Sequence, residues 1–353
     1  MRRTLTSKKD YQELINSGIR IDSPNSLLND LLKTNYEEVE LKVDEDSNRY
    51  WEQIMTNKKD IIAWWSGGIT SAVACKKAID IFGRERVRVI MIDTENEHPD
   101  TYRFKKDCED WYDLPIEIIT GIGEKYGNIF DVWRKHKSLN TATGAICSTQ
   151  LKRMVREKWE KQNTNYTHQI FGFEFDKKEF NRALSMTMNH GHRVKAIYPL
   201  LMFGYNKKDC LDIVNQANIE VPEMYKLGFQ NNNCFGTGCV QGGIGYWQKM
   251  RRDFPEKFNT MADMEHELTD LRGEPVTMLK DQSNEAKEAI KTDKKANLVF
   301  LKKHPNYPNH KCLDDMPDRK VEPLFECNGM CGINDLNPRT SSVGELNFES
   351  EDY

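Results

Sequence analysis

Apolar and polar positions alternate along this chain in blocks that read as strands and helices in turn. Ile61–Trp65 is a short unbroken apolar run that stops at Ser66-Gly67-Gly68, and an Ala/Val/Lys-rich stretch with helical spacing follows it. Arg86–Ile92, Ile116–Ile119, Ile170–Phe173 and Ala196–Tyr198 are further strand-like runs, each separated from the next by a helical one. This alternation over residues 56–240 predicts an α/β domain with a doubly wound, mostly parallel sheet. Residues 1–55 place apolar positions at helical spacing, as in Leu27-Leu28 and Leu31-Leu32, and predict a helical N-terminal extension. Residues 241–334 predict a helical, cysteine-bearing C-terminal region, with helices over 242–272, interrupted at Pro255, and over 280–303. The tail, 335–353, is polar and acidic and predicts disorder. There is no internal repeat.

A strand, a tight glycine loop and a helix start present backbone N–H groups to an anion. Here Gly67 and Gly68 let the backbone pass close to a phosphate, and Ser66, Thr70 and Ser71 add hydroxyls. The alternative for so short a motif is an ordinary turn. The second strand ends at Asp93-Thr94. Ligands of open parallel sheets sit at the carboxyl ends of strands, so Asp93 and Ser66 are expected in one crevice.

Composition narrows the class. The 353 residues carry 51 Lys+Arg against 55 Asp+Glu, a net charge of -4, which excludes a uniformly basic nucleic-acid coat but allows a local basic groove. No apolar run approaches the roughly 18 residues of a membrane helix. The first ten residues are basic without an apolar core, so no secretory signal is expected and the cytoplasm is the expected compartment. Nine cysteines in such a chain read as metal or redox sites before disulfides. Cys75, Cys108 and Cys210 fall in helical segments as small core residues, and Cys312 sits in a polar loop with no assignment. The other five, Cys147, Cys234, Cys239, Cys327 and Cys331, include two closely spaced pairs with glycine between them, a pattern that suits a metal. The alternatives are a structural zinc on Cys234, Cys239, Cys327 and Cys331, or five reduced thiols. His98 reads as a cap, His190 and His192 as a solvated loop, and Lys249, Arg251 and Arg252 beside Tyr246 and Trp247 as a charged helix face or a nucleic-acid surface.

Four motifs in order resemble the phosphoadenosine phosphosulfate (PAPS) reductase family, within the ATP pyrophosphatase and adenine nucleotide alpha hydrolase-like group. They are Ser66-Gly67-Gly68; Asp93-Thr94 with Pro99-Asp100-Thr101-Tyr102-Arg103-Phe104; Cys147 with Lys152-Arg153; and Gly172 with Arg182-Ala183. Pro199-Leu200, Pro222, Tyr225, Gly228 and the Cys234/Cys239 pair echo the segment that closes the family's fold. The resemblance implies an adenine nucleotide, ATP or a sulfonucleotide (PAPS or APS), bound with Mg²⁺ by Ser66, Gly67, Gly68, Thr70, Ser71, Asp93, Thr94, Lys152, Arg153 and Arg182, with Arg156 nearby. It also implies an iron–sulfur cluster on Cys147, Cys234 and Cys239, completed by Cys327. Cys331 matches the place of the family's late nucleophilic cysteine, without its histidine, and with Asp93 forms the expected catalytic pair. Ile69, Thr70 and Phe173 replace a lysine, an aspartate and an arginine of the family pattern, which points away from a sulfonucleotide.

Three functions follow as expectations. One is cleavage of ATP to AMP and pyrophosphate, adenylating an acceptor such as a nucleic acid for sulfur transfer from a sulfur donor. The second is sulfonucleotide reduction with a thioredoxin-like partner. The third is a nucleotide- or metal-binding module without turnover. The oligomeric state is not set by the sequence.

Overall fold

The structure, a computed structural model, describes residues 2–5, 39–42, 45–141, 144–191, 193–322 and 324. From Glu45 onward the main elements are α1 (Glu45–Thr56), β1 (Asp60–Trp65), α2 (Ile69–Phe82), β2 (Val87–Asp93), α3 (Asp100–Tyr112), β3 (Ile116–Thr120) and α4 (Ile129–His136). After them come α5 (Met154–Gln162), β4 (Tyr166–Ile170), α6 (Lys177–His190), β5 (Ala196–Ile197), α7 (Lys207–Gln216), α8 (Ile244–Asp253) and α9 (Pro255–Arg272). The five strands form one parallel sheet in the order β3-β2-β1-β4-β5. The expected α/β sheet is therefore present.

The apolar strands are explained by burial on both faces. Ile61, Ala63 and Trp65 pack against α2, α3 and α7 through Ala72, Phe104 and Val214. Ile62 and Trp64 face the other way, toward Trp159 of α5 and Phe180 of α6. A third core, containing Trp133, Trp247, Phe258, Met261 and Leu268, joins α4, α8 and α9.

Three segments depart from the expected elements. Within residues 1–55, α1 is helical, whereas Arg2–Leu5 and Val39–Lys42 pair as an antiparallel ribbon. The strict apolar-polar alternation of Val39-Glu40-Leu41-Lys42 is a strand signal. The fourth strand is Tyr166–Ile170 rather than Ile170–Phe173, because Trp64 Nε1 donates to Gln169 Oε1 at 2.7 Å and lets a polar residue be buried. Residues 280–303 hold a short helix, Asn284–Ala289, capped by the Ser283 hydroxyl. It lies between strands Leu279–Lys280 and Leu298–Phe300 of a three-stranded sheet completed by Lys311–Cys312. Cys312 is buried there.

Glu265 on α9 ties this small sheet to the helix. Its carboxyl oxygens accept from Met278 N at 2.8 Å and Leu301 N at 2.6 Å. The residue is fully buried, and desolvation pushes its pKa up to about 8, against the two backbone donors that lower it. A native pKa above the unfolded value of 4.5 means that the folded state holds a proton which the unfolded state has lost. Its stabilisation is complete below the unfolded pKa and disappears as pH rises through about 8. Urea unfolding at pH 6 and pH 7 should show about 1 kcal/mol less stability at the higher pH, and Glu265→Gln should flatten that dependence.

Candidate functional site

The sheet order reverses between β1 and β4, and the chain leaves β1 there through Ser66-Gly67-Gly68 into α2. Such a switch point opens a crevice at the carboxyl ends of the strands. Gly67 has φ +89°, a left-handed conformation that suits glycine. Gly68 occupies the N-cap of α2 and has no side chain to cap the helix, so the N–H groups of its first turn, apart from that of Ile69, are presented outward. Ile69 N donates to the Tyr225 hydroxyl at 3.3 Å.

The loop is braced from within and from outside. Ser71 Oγ accepts from Ser66 N at 3.1 Å, meets Ser66 Oγ at 2.9 Å and donates to Gly68 O at 2.8 Å. Asn232 Nδ2 donates to Gly67 O at 2.8 Å and to Thr101 Oγ1 at 3.1 Å, linking the loop to α3. Gly172, just past β4, backs the loop so closely that a Cβ there would lie 2.7 Å from Ser71 Cα and 2.8 Å from Ser71 N. Thr70 is 2% exposed and its hydroxyl has no partner among the described residues, so a bound anion could satisfy it.

Asp93 ends β2, beside β1. Its Oδ1 accepts from Glu95 N at 2.8 Å and its Oδ2 from the Tyr102 hydroxyl at 2.8 Å. Desolvation and the adjoining Asp93 carboxylate push the Tyr102 phenol well up, which keeps it a donor. Glu95 has φ 56°, an uncommon left-handed conformation for a residue with a side chain. The next polar unit is buried: Thr94 Oγ1 donates to Glu97 Oε1 at 3.1 Å, and Lys152 Nζ lies 3.4 Å from the same oxygen. Lys152 is carried by a five-residue π-helical turn, Thr149–Arg153, that leads into α5. Arg153 is half-buried on the same turn. Arg156, expected near the nucleotide, instead lies wholly buried over the Phe171 ring at 5.9 Å and 3.2 Å from Glu160. It belongs to the core.

Arg182 on α6 is held by Glu179 at 3.2 Å and lies over the Phe173 ring at 4.6 Å, and that ring stacks on Tyr198. The signature residues Asp100 and Arg103 are structural. Arg103 grips Asp100 at 2.8 and 2.7 Å and donates to Glu220 O and Val221 O, while Glu223 N donates to Asp100. His98 accepts from Asp100 N at 3.0 Å and packs on Phe235, as a cap would. Desolvation lowers its pKa.

The cysteines approach this crevice from one side. Phe235 N and Gly236 N, within the Cys234–Cys239 loop, donate to Asn96 O at 2.8 and 2.9 Å. Asn140 Nδ2, on the hairpin before Cys147, donates to Val240 O at 3.0 Å, which brings Cys147 toward the same loop. The Tyr246 hydroxyl accepts from Cys239 N at 3.0 Å and feels both Cys234 and Cys239. Among the described residues no three Cys, His, Asp or Glu side chains converge on a point that could hold a metal ion. Cys327 and Cys331 lie outside the described residues. The last described contact before them, Leu324 N to Asn231 Oδ1 at 2.8 Å, draws the chain to the approach to Cys234.

Sequence reasoning missed Glu97, Asn232 and the bracing role of Tyr225. The run Asn231-Asn232-Asn233, buried throughout, was the available signal: successive amides are retained in a core only when they bind backbone.

An open parallel sheet with an uncapped helix start at its switch point defines an α/β nucleotide-binding protein. The chain belongs to the PAPS reductase family: the model of the phosphoadenosine phosphosulfate reductase domain matches residues 60–241. Among solved structures it is similar to phosphoadenylyl-sulfate (PAPS) reductase from Candida auris, in a phosphate complex, with a TM-score of 0.38 and 14% identity over 65% of this chain and 96% of that one. It is also similar to the NH3-dependent NAD synthetase from Campylobacter jejuni, in complex with nitrate, with a TM-score of 0.34 and 14% identity over 64% of this chain and 88% of that one. None of the curated proteins matches. The family and both of these structures are enzymes. No helix among the described residues is long and apolar enough to cross a membrane.

Proposed function

We propose that this chain binds ATP at Ser66–Ser71 and splits it to AMP and pyrophosphate, adenylating an acceptor oxygen that a sulfur nucleophile then displaces. The observation that carries this reading is the uncapped start of α2 beside the buried, unpartnered Thr70 hydroxyl at the switch point. Backbone N–H groups and the hydroxyls of Ser66, Thr70 and Ser71 stabilise charge on the departing pyrophosphate. Lys152 and Arg153 add cations from the π-helical turn. Asp93 acts as a positioning group, because both of its oxygens are engaged by Glu95 and Tyr102. Mg²⁺ would enter with the triphosphate and supply charge neutralisation there, since among the described residues no cluster of carboxylates is built to hold it.

One feature favours ATP over a sulfonucleotide: Phe173, under the Arg182 guanidinium, replaces a cation of the family pattern. The family pattern supports an iron–sulfur cluster held by Cys147, Cys234, Cys239 and Cys327, although among the described residues no three such side chains converge on a point. Such a cluster would serve a sulfur donor's delivery to a nucleic-acid or other acceptor.

The test is turnover with each nucleotide. Pyrophosphate released from ATP, reduced about 100-fold in kcat/KM by S66A/S71A, supports the proposal. Sulfite from PAPS with a thioredoxin-like reductant would establish the reductase reading with Cys331 as nucleophile. Tight binding without either product would leave a non-catalytic module.

A further inference from the structure

At the opposite end of the sheet, where β1 and β4 begin, a cavity of about 500 Å³ opens between α1, the turn after α5 and the segment before β5. It lies five residues of strand, roughly 17 Å, from the phosphate loop. His168 lines it and is 5% exposed. Its Nε2 meets the Tyr50 hydroxyl at 3.0 Å, whereas Nδ1 has no hydrogen-bond partner. Whichever tautomer is present, that buried nitrogen is an orphaned donor or acceptor, and such a group is costly unless something satisfies it.

The rest of the wall is aromatic and polar, and its charged groups are three cations and the Glu160 carboxylate. Tyr50 and Tyr166 flank the cavity, and Lys59, Arg193 and Lys195 stand at its rim. Arg193 is neutralised by Glu157 at 3.2 Å and Glu160 at 3.0 Å. Lys59 and Lys195 have no ion-pair partner among the described residues. The site therefore carries two uncompensated positive charges above a polar floor, with room for a small organic molecule. Burial, with Lys195 and Arg86 nearby, pushes His168 down to about 4, so its ring is neutral at pH 7.

We propose that this cavity is a second ligand site, separate from the nucleotide crevice, for a small phosphorylated metabolite: Lys59 and Lys195 pair with the phosphate and His168 Nδ1 completes the floor. The two lysines match a phosphate's double charge, and the tyrosines offer faces to the organic portion.

The test uses the full chain and inorganic phosphate as probe, read at the His168 ring by nitrogen-15 NMR so that phosphate at Ser66–Ser71 does not register. H168Q assigns the signal. The expected result is a saturable shift of His168 and an upward move of its titration midpoint, because a bound anion favours imidazolium. K59E/K195E, on exposed positions, should weaken half-saturation by about tenfold or more, a loss of roughly 1.4 kcal/mol. A His168 ring unmoved by phosphate, or one moved equally in K59E/K195E, overturns the site. Pyrophosphate release from ATP is measured separately, so failure here leaves the nucleotide reading intact.

Discussion

Gly172→Ala will abolish nucleotide binding while leaving most of the sheet folded. The added methyl would sit 2.7 Å from Ser71 Cα, 2.8 Å from Ser71 N and 3.1 Å from the Thr70 carbonyl carbon. All three neighbours are backbone, so none can swing aside as a side chain would. Either the first turn of α2 shifts or the chain beyond β4 does, and each movement breaks the Ser66–Ser71–Gly68 hydrogen bonds. Overpacking of this kind costs about 1–3 kcal/mol. The binding loss should be far larger, about 100-fold or more, because displacing oriented donors by about 1 Å can remove that much. Calorimetric titration with ATP, beside urea unfolding of the same variant, reads both quantities. Wild-type affinity in G172A would show that the close approach is irrelevant to the loop.

Lys152→Ala should have the largest effect on stability. Lys152 and Glu97 are 6% and 2% exposed in their side chains, and removing the cation leaves a carboxylate in the interior. Breaking a buried pair in this way costs about 3–5 kcal/mol, most of it from the stranded partner. The double variant E97Q/K152M should recover much of that loss, since neither side chain is then charged. It should not recover nucleotide binding if Lys152 supplies a cation to the phosphates. Recovery of both properties would make the pair purely structural. Equal instability in the single and double variants would mean that packing, not charge, dominates at this position.

The strand-and-loop frame was legible because parallel strands buried on both faces are continuous apolar runs, as Ile61–Trp65 and Val89–Ile92 are. Ser66-Gly67-Gly68 was legible because few residue types tolerate that turn. β4 was placed late in sequence terms because Thr167, His168 and Gln169 are polar, and only Trp64 on the neighbouring strand and Tyr50 on α1 make burial of Gln169 and His168 acceptable. The bracing of the site was hidden for a similar reason. Asn232 and Tyr225 act across more than a hundred residues of chain, and no local pattern encodes which backbone carbonyl or N–H they will meet. Arg156 shows the converse. Its position beside Lys152 suggested phosphate, but a guanidinium can also sit over an aromatic ring, and Phe171 lies 5.9 Å from it.

The order of the strands has a consequence for how the crevice comes into being. β1 and β2 with α2 between them form a local unit, joined within a few dozen residues. β1 must then wait for β4, since Asp60 pairs with Tyr166 more than a hundred residues later. Closing a loop of that length defers the pairing until much of the chain is available. Gly172 follows β4 directly, and Asn232 is later still. During synthesis the glycine loop is therefore made early but stands without its wall or its brace. The phosphate cradle is finished only when the far end of the domain has folded back on it, so a truncated chain carries the motif without the site.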